Sequence, residues 1–258
     1  MTTTAQAGAE APAAGPTGSG PHPVQPTAST SVVRALDLYS CSGGAAWGYN
    51  AAGLEVARGV DIVHRPRYPF PFTLDDAIQC LLAHGRDYDF IHASPPCQSE
   101  CSLTVGTNRS KKWGASSDHI DLVGPTRRAL DHIGVPYVIE QPIGKAKIRK
   151  DLTLCGEMYG LGVIRHRDFE LGFWKAPQPA HIPHRGRVRG WRHGQYHDGP
   201  YVAVYGDGGG KGTVREWQDA MGIHWTDVRK ELAEAIPPAY AQYIGEQFLA
   251  QAREQVAA

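Results

Sequence analysis

The sequence predicts a doubly wound α/β domain. From Ser31 onward, short apolar runs end in glycine, acid or proline, and helix-like stretches alternate with them. With 258 residues, 41% of them hydrophobic, the chain can bury one full-sized core with a small annex and is too short for two large domains. In such sheets ligands sit beyond the carboxyl ends of the strands, so the residues that follow each strand are where chemistry is sought.

Residues 1–30 are rich in Ala, Pro, Gly and Thr and nearly free of large apolar groups. They cannot bury enough surface to offset chain entropy and are expected as a disordered tail. Strands are expected at 33–38, 54–60, 90–93 and 137–140, with helices at 44–52, 74–84 and 125–133 between them. From about 173 to 212 the pattern gives way to Pro, Gly, His and Arg with scattered aromatics. Beyond it, 214–221 and 228–235 read as helices, and a final amphipathic helix over 239–250 follows the Pro237-Pro238 break.

Lys plus Arg and Asp plus Glu both total 26, so overall charge gives no hint of a polyanionic partner, and any such hint must come from local clustering. Five cysteines stand at 41, 80, 97, 101 and 155, an odd number; Cys97 and Cys101 lack the second pair of a structural zinc site. Free thiols in a reducing compartment follow. No run approaches the roughly 18 apolar residues of a membrane span, and the first residues lack a secretory signal's basic start. A soluble, cytoplasmic protein without a membrane partner is the expectation.

The first strand delivers Asp37-Leu38-Tyr39-Ser40-Cys41-Ser42-Gly43-Gly44 into a helix. Small residues and paired glycines at such a turn let backbone amides approach a ligand, and a helix N-terminus favours an anion. The G-x-G-x-x-G spacing of dinucleotide sites is absent. The second strand ends at Asp61, and Asp75 and Asp76 stand at the third strand-to-helix position. A carboxylate at the second strand's end suits ribose hydroxyls and a later one an adenine amino group; the alternatives are a strand-end acid and a helix cap.

The strand 90–93 runs into Ser94-Pro95-Pro96-Cys97-Gln98, where two prolines fix the backbone and hold a thiol beyond the sheet edge, as a nucleophile requires. The next strand ends in Glu140-Gln141-Pro142, aiming a carboxylate at the same crevice, and Arg165-His166-Arg167 follows with alternating arginines that share one face of an extended segment. Between 175 and 197 lie Lys175, His181, His184, Arg185, Arg187, Arg189, Trp191, Arg192, His193 and His197. This basic cluster with interleaved aromatics suits phosphate and base contacts; a solvated loop or a histidine metal site is the alternative, and the wide ligand spacing speaks against metal.

With these motifs in this order, from about Leu36 to Phe248, the chain resembles the DNA cytosine-5 methyltransferases, most of all compact phage-type DNA methylases. The resemblance rests on the segment 37–44, Pro96-Cys97-Gln98, Glu140-Gln141-Pro142, Arg165-His166-Arg167 and Ile236-Pro237-Pro238-Ala239-Tyr240. It implies a Rossmann-like methyltransferase fold with S-adenosyl-L-methionine as cofactor, held by Tyr39, Cys41, Gly43, Gly44, Asp61, Ile62 and Asp76, with Pro96 beside the transferred methyl group. It implies that the Cys97 thiolate adds to carbon 6 of a flipped cytosine, that Glu140 bonds ring nitrogen 3 and the amine, and that Arg167 binds the carbonyl while Arg165 orients. It further implies a loop over 99–118 that closes on DNA through Arg109, Lys111 and Lys112, and a monomer whose DNA contacts include Arg185, Arg187, Arg189 and Arg192. No metal is called for. The resulting division is a tail over 1–30, a catalytic domain over 31–172, a basic target-recognition segment over 173–213 and helices returning to the catalytic domain over 214–258. RNA methylation, a nucleotide-level pyrimidine carbon-5 enzyme and a catalytically silent DNA-binding regulator are the competing functions.

Overall fold

The computed structural model describes residue 1 and residues 32–96, 121–144, 147–192, 194–206 and 212–257. The expected tail beyond Met1 and the closing loop over 99–118 lie outside them. A mixed seven-stranded sheet is built from β1 (Arg34–Leu38), β2 (Glu55–Asp61), β3 (Phe72–Leu74), β4 (Phe90–Ala93), β5 (Tyr137–Pro142), β6 (Leu152–Leu154) and β7 (Arg167–Gly172). Their order is β3-β2-β1-β4-β5-β7-β6, parallel from β3 to β5, with β7 antiparallel to β5 and β6 antiparallel to β7. A hairpin of β8 (Gly190–Arg192) and β9 (Gln195–His197) stands apart as a separate sheet.

The central strands are apolar on both faces because helices cover both. Ala35, Phe90 and Val138 pack with α1 (Gly44–Ala52) and α6 (Pro238–Ala257), where Tyr49, Ile244 and Phe248 meet them. Leu36, Ile91 and Ile139 point the other way, against Leu81 of α2 (Ala77–His84) and Leu130 of α3 (Val123–Ile133). Strand parity therefore puts Asp37, His92 and Glu140 on the α1/α6 face, each buried. A smaller core under α4 (Val214–Met221) and α5 (Arg229–Glu234) gathers Trp217, Met221 and Leu232 with Val163 and Val202.

Helix α6 approaches α1 closely because α1 offers glycine where the backbones meet. A Cβ on Gly44 would stand 2.2 Å from the Ile236 oxygen, and one on Gly48 2.1 Å from the Pro238 oxygen. Among the described residues no helix is long and apolar enough to cross a membrane.

The expected second helix starts too early. Leu74 pairs with Asp61 as the last residue of β3, and α2 begins after Asp76, whose Oδ1 accepts from Ile78 N and Gln79 N at 2.9 Å each. Strands β3, β6, β8 and β9 span three residues each, too few to display a period. The last helix runs on to Ala257.

Candidate active site

The strand order reverses between β1 and β4, and a cavity of about 400 Å³ opens where their carboxyl ends diverge. Tyr39, Cys41, Gly44, Asp61, Ile62, Asp76 and Pro96, all singled out in the sequence, line it together with Asp37, Ser40, Pro95, Glu140 and Gln141. Gly43 does not line it but shapes the turn: its φ is +84°, and a Cβ there would meet the Pro69 ring at 2.8 Å. Tyr39 and Cys41 also take positive φ, 58° and 46°. Left-handed conformations of non-glycine residues cost about 1–3 kcal/mol each and mark a turn that the surroundings over-determine. No side chain caps α1, so its first-turn N–H groups remain available to an anion.

The Asp61 carboxylate organises this end of the site. Oδ1 accepts from Val63 N at 2.9 Å; Oδ2 accepts from Cys41 N at 3.1 Å and from Arg65 Nε at 3.0 Å. Arg65 was no sequence candidate, being four residues away in a loop, yet it would have to share this carboxylate with any ribose hydroxyl. Asp76 serves both as helix cap and as part of the cavity wall.

At the opposite end, Glu140 is buried within β5, two residues before the end of the strand at Pro142. Burial raises its pKa, against the lowering effect of Arg167 and Arg165. Arg167 Nε forms an ion pair with Glu140 Oε1 at 2.8 Å, yet Oε1 has no hydrogen-bond partner among the described residues, so its lone pairs are not saturated. Ser40 Oγ and Gln141 Oε1 on the same wall, and Arg165 Nε nearby, are likewise buried without a hydrogen bond. Buried polar atoms left unpaired in a native core cost free energy and point to a missing partner.

The two predicted arginines divide their tasks. Arg165 is anchored to backbone carbonyls: Val204 at 2.9 Å, and Ala233 and Ala235 at the end of α5, the latter at 2.8 Å. Burial draws its pKa down to about 9, so it stays charged at neutral pH. These contacts tie its guanidinium to the backbone. Both arginines line a second chamber of about 660 Å³, which shares Pro142, Lys230 and Glu234 with the first.

Sequence reasoning missed two supports of the chemical end. Gln141 Nε2 donates to Pro95 O at 2.7 Å, pinning the proline turn that precedes Cys97. His92 links Tyr49 Oη at 2.9 Å to Ser94 Oγ at 2.8 Å, and burial lowers its pKa to about 3, keeping the ring neutral. A single histidine inside a strand offered no sequence signal.

Cys97, Arg109, Lys111 and Lys112 lie outside the described residues, as does the side chain of Arg192. Burial pushes the Cys41 thiol up to about 12 and also raises Cys80, so both are held as thiols; it raises Cys155 as well. In the annex, Arg185 Nε pairs with Glu157 Oε1 at 2.7 Å and Arg189 pairs with Glu216. Arg187 is exposed beside His197. The hairpin displays Trp191 and Tyr196 at 66% and 50% exposure, their rings 5.7 Å apart.

No protein-family model and no curated protein matches the sequence. Among solved structures, the chain is similar to the Dnmt2 methyltransferase of S. pombe, with 14% identity and a TM-score of 0.55 over 85% of this chain and 99% of that one. It is also similar to an E. coli prophage-encoded protein described as a DNA modification methyltransferase, with 12% identity and a TM-score of 0.53 over 84% of this chain and 99% of that one. The chain thus has the α/β Rossmann-like fold of these methyltransferases.

Proposed function

We propose that this chain methylates carbon 5 of cytosine in DNA, using S-adenosyl-L-methionine and Cys97 as the covalent nucleophile. The observation that carries this is Glu140, a buried carboxyl of raised pKa ion-paired to Arg167 at 2.8 Å, on the wall of a cavity reached by the Pro95-Pro96 turn. A carboxyl that shares a proton readily is what ring nitrogen 3 of cytosine needs as electron density moves onto it.

The residues present fit the cofactor. The cavity offers an uncapped helix N-terminus for a carboxylate, Asp61 for hydroxyls, and the Ser40 hydroxyl, which has no hydrogen-bond partner among the described residues. When bound, S-adenosylmethionine supplies an electrophilic methyl group. The chain's own residues do the rest. Cys97 forms a bond to carbon 6 of the extruded base, Glu140 holds nitrogen 3 and the amine, and Arg167 neutralises the carbonyl oxygen. Carbon 5, made nucleophilic, accepts the methyl group; loss of its proton to a base then expels the thiolate by elimination. Burial holds Cys41 and Cys80 as thiols, which supports Cys97 as the reacting sulfur. DNA rather than RNA is favoured by the description of the prophage neighbour, and a polymer rather than a free nucleotide by the basic annex with its exposed aromatics.

Incubation of the protein with isotopically labelled S-adenosylmethionine and unmethylated mixed-sequence DNA, with RNA and dCMP in parallel, tests this by mass spectrometry of the nucleosides. The expected result is 5-methyldeoxycytidine from DNA, reduced to background by Cys97→Ser with the affinity for S-adenosylhomocysteine kept. Transfer to RNA or dCMP alone, or normal turnover by the serine variant, contradicts the proposal.

A further inference from the structure

At the β6 edge of the sheet, four side chains from three separate segments converge. Cys155 directly follows β6, His166 directly precedes β7, and His181 and His184 come from the stretch between β7 and β8. One donor atom from each lies within 4.8 Å of all the others. Cys155 Sγ is 3.4 Å from His184 Nε2, and His166 Nε2 is 3.1 Å from His181 Nε2.

We propose that Cys155, His166, His181 and His184 form a tetrahedral structural site for Zn²⁺. Metal–nitrogen distances of about 2.0–2.1 Å and a metal–sulfur distance of about 2.3 Å put tetrahedral nitrogens roughly 3.4 Å apart and sulfur roughly 3.6 Å from nitrogen. The two observed spacings, 3.1 and 3.4 Å, lie close to these edges. Two ordinary hydrogen bonds would account for each pair separately but give no reason for all four donor atoms to meet. Three imidazoles and one thiol select a borderline-soft ion over Mg²⁺ or Ca²⁺, which require oxygen ligands. Because the protein fills all four positions, the site is closed and structural.

Spacing along the chain argues against metal here, since the cysteine and the first histidine stand far from the other two in sequence. The fold removes that objection: the antiparallel pairing of β6 with β7 brings residue 155 beside residue 166, and the chain beyond β7 returns over them. A bound ion would clip the start of the annex to the sheet edge. It would also fix His166 between Arg165 and Arg167, tying annex position to the arginines of the crevice. The site stands on its own geometry and does not depend on the proposed methyl transfer.

The test uses the untagged full-length chain. Inductively coupled plasma mass spectrometry of protein from zinc-containing medium should find about one zinc per chain, a stoichiometry set by the single four-ligand site. After chelation, titration with Co²⁺ should give intense visible d–d bands and a thiolate-to-cobalt charge-transfer band. Cys155→Ser should abolish the charge-transfer band, and His181→Ala with His184→Ala should weaken Zn²⁺ binding beyond the 10–100-fold typical of lost outer-shell partners. Both histidines are exposed, so the double variant should keep its circular dichroism spectrum; His184→Gln alone serves if it does not. His197→Ala, outside the cluster, should bind as wild type does. Zinc-free protein that gives no cobalt bands, or a histidine variant that retains wild-type zinc, overturns the proposal.

Discussion

Asp37 sits at the end of β1, fully enclosed, and burial pushes its carboxyl up to about 8 although Tyr68 Oη donates to it at 3.0 Å; Asp61 adds to the rise. The folded chain therefore binds this proton between pH 4 and 8 where the unfolded chain has released it. An acid with a raised folded pKa loses stability as pH rises, here through that window, by at most about 1.4 kcal/mol per pH unit. His92 acts oppositely: lowered to about 3, it costs stability as pH falls below the ordinary 6.5. The two offset between 4 and 6.5, so Asp37 dominates from 6.5 to 8. Asp37→Asn should abolish the fall in urea midpoint over that upper window, and the same slope in both proteins would place the proton elsewhere. At this scale the sequence was informative where a residue type is rare at its position, as with Asp61 at the end of β2 and Glu140 within β5. It was silent on Arg65, Gln141 and His92, whose roles depend on what the fold brings beside them.

Helix α1 and strands β4 and β5 were legible because glycine, acid or proline bounds each and apolar residues predominate within them, and β1 because its apolar residues lead into the Ser-Cys-Ser-Gly-Gly turn. The start of α2 was not, since Leu74 fits helix and strand equally and only the pairing with Asp61 decides it. Close packing of α1 on α6 gives the element its own prediction. Gly48→Ala places a methyl 2.1 Å from the Pro238 oxygen and 2.8 Å from the Ala241 Cβ, with backbone on the far side that cannot yield locally. Overpacking of this kind costs about 1–3 kcal/mol. Chemical denaturation should show that loss, and an unchanged midpoint would mean that the two helices separate without cost.

Across the whole molecule, balanced net charge gave no hint of the annex, which local clustering revealed, and the fold now sorts its arginines. Arg185 and Arg189 are engaged by Glu157 and Glu216, whereas Arg187 is exposed beside His197, and we propose it, with Arg192, to neutralise phosphates. Replacing Arg187 and Arg192 by alanine should weaken DNA binding and flatten the logarithmic salt slope by about 0.9 per lost phosphate contact on duplex DNA, with S-adenosylhomocysteine affinity unmoved. Fluorescence anisotropy at several salt concentrations measures it; an unaltered slope would make the hairpin a solvated surface. The proposed metal-ligand set was not legible in the sequence, because its residues come together only when β6 and β7 pair. The central claim is covalent catalysis by Cys97, and the most direct measurement replaces cytosine in an accepted DNA substrate with 5-fluorocytosine. Fluorine cannot leave carbon 5 as a cation, so elimination stalls and the enzyme should remain joined to DNA on a denaturing gel, only with S-adenosylmethionine present and not with Cys97→Ser. A substrate that is methylated when it carries cytosine, yet yields no trapped adduct when it carries the fluorinated base, would contradict the covalent mechanism.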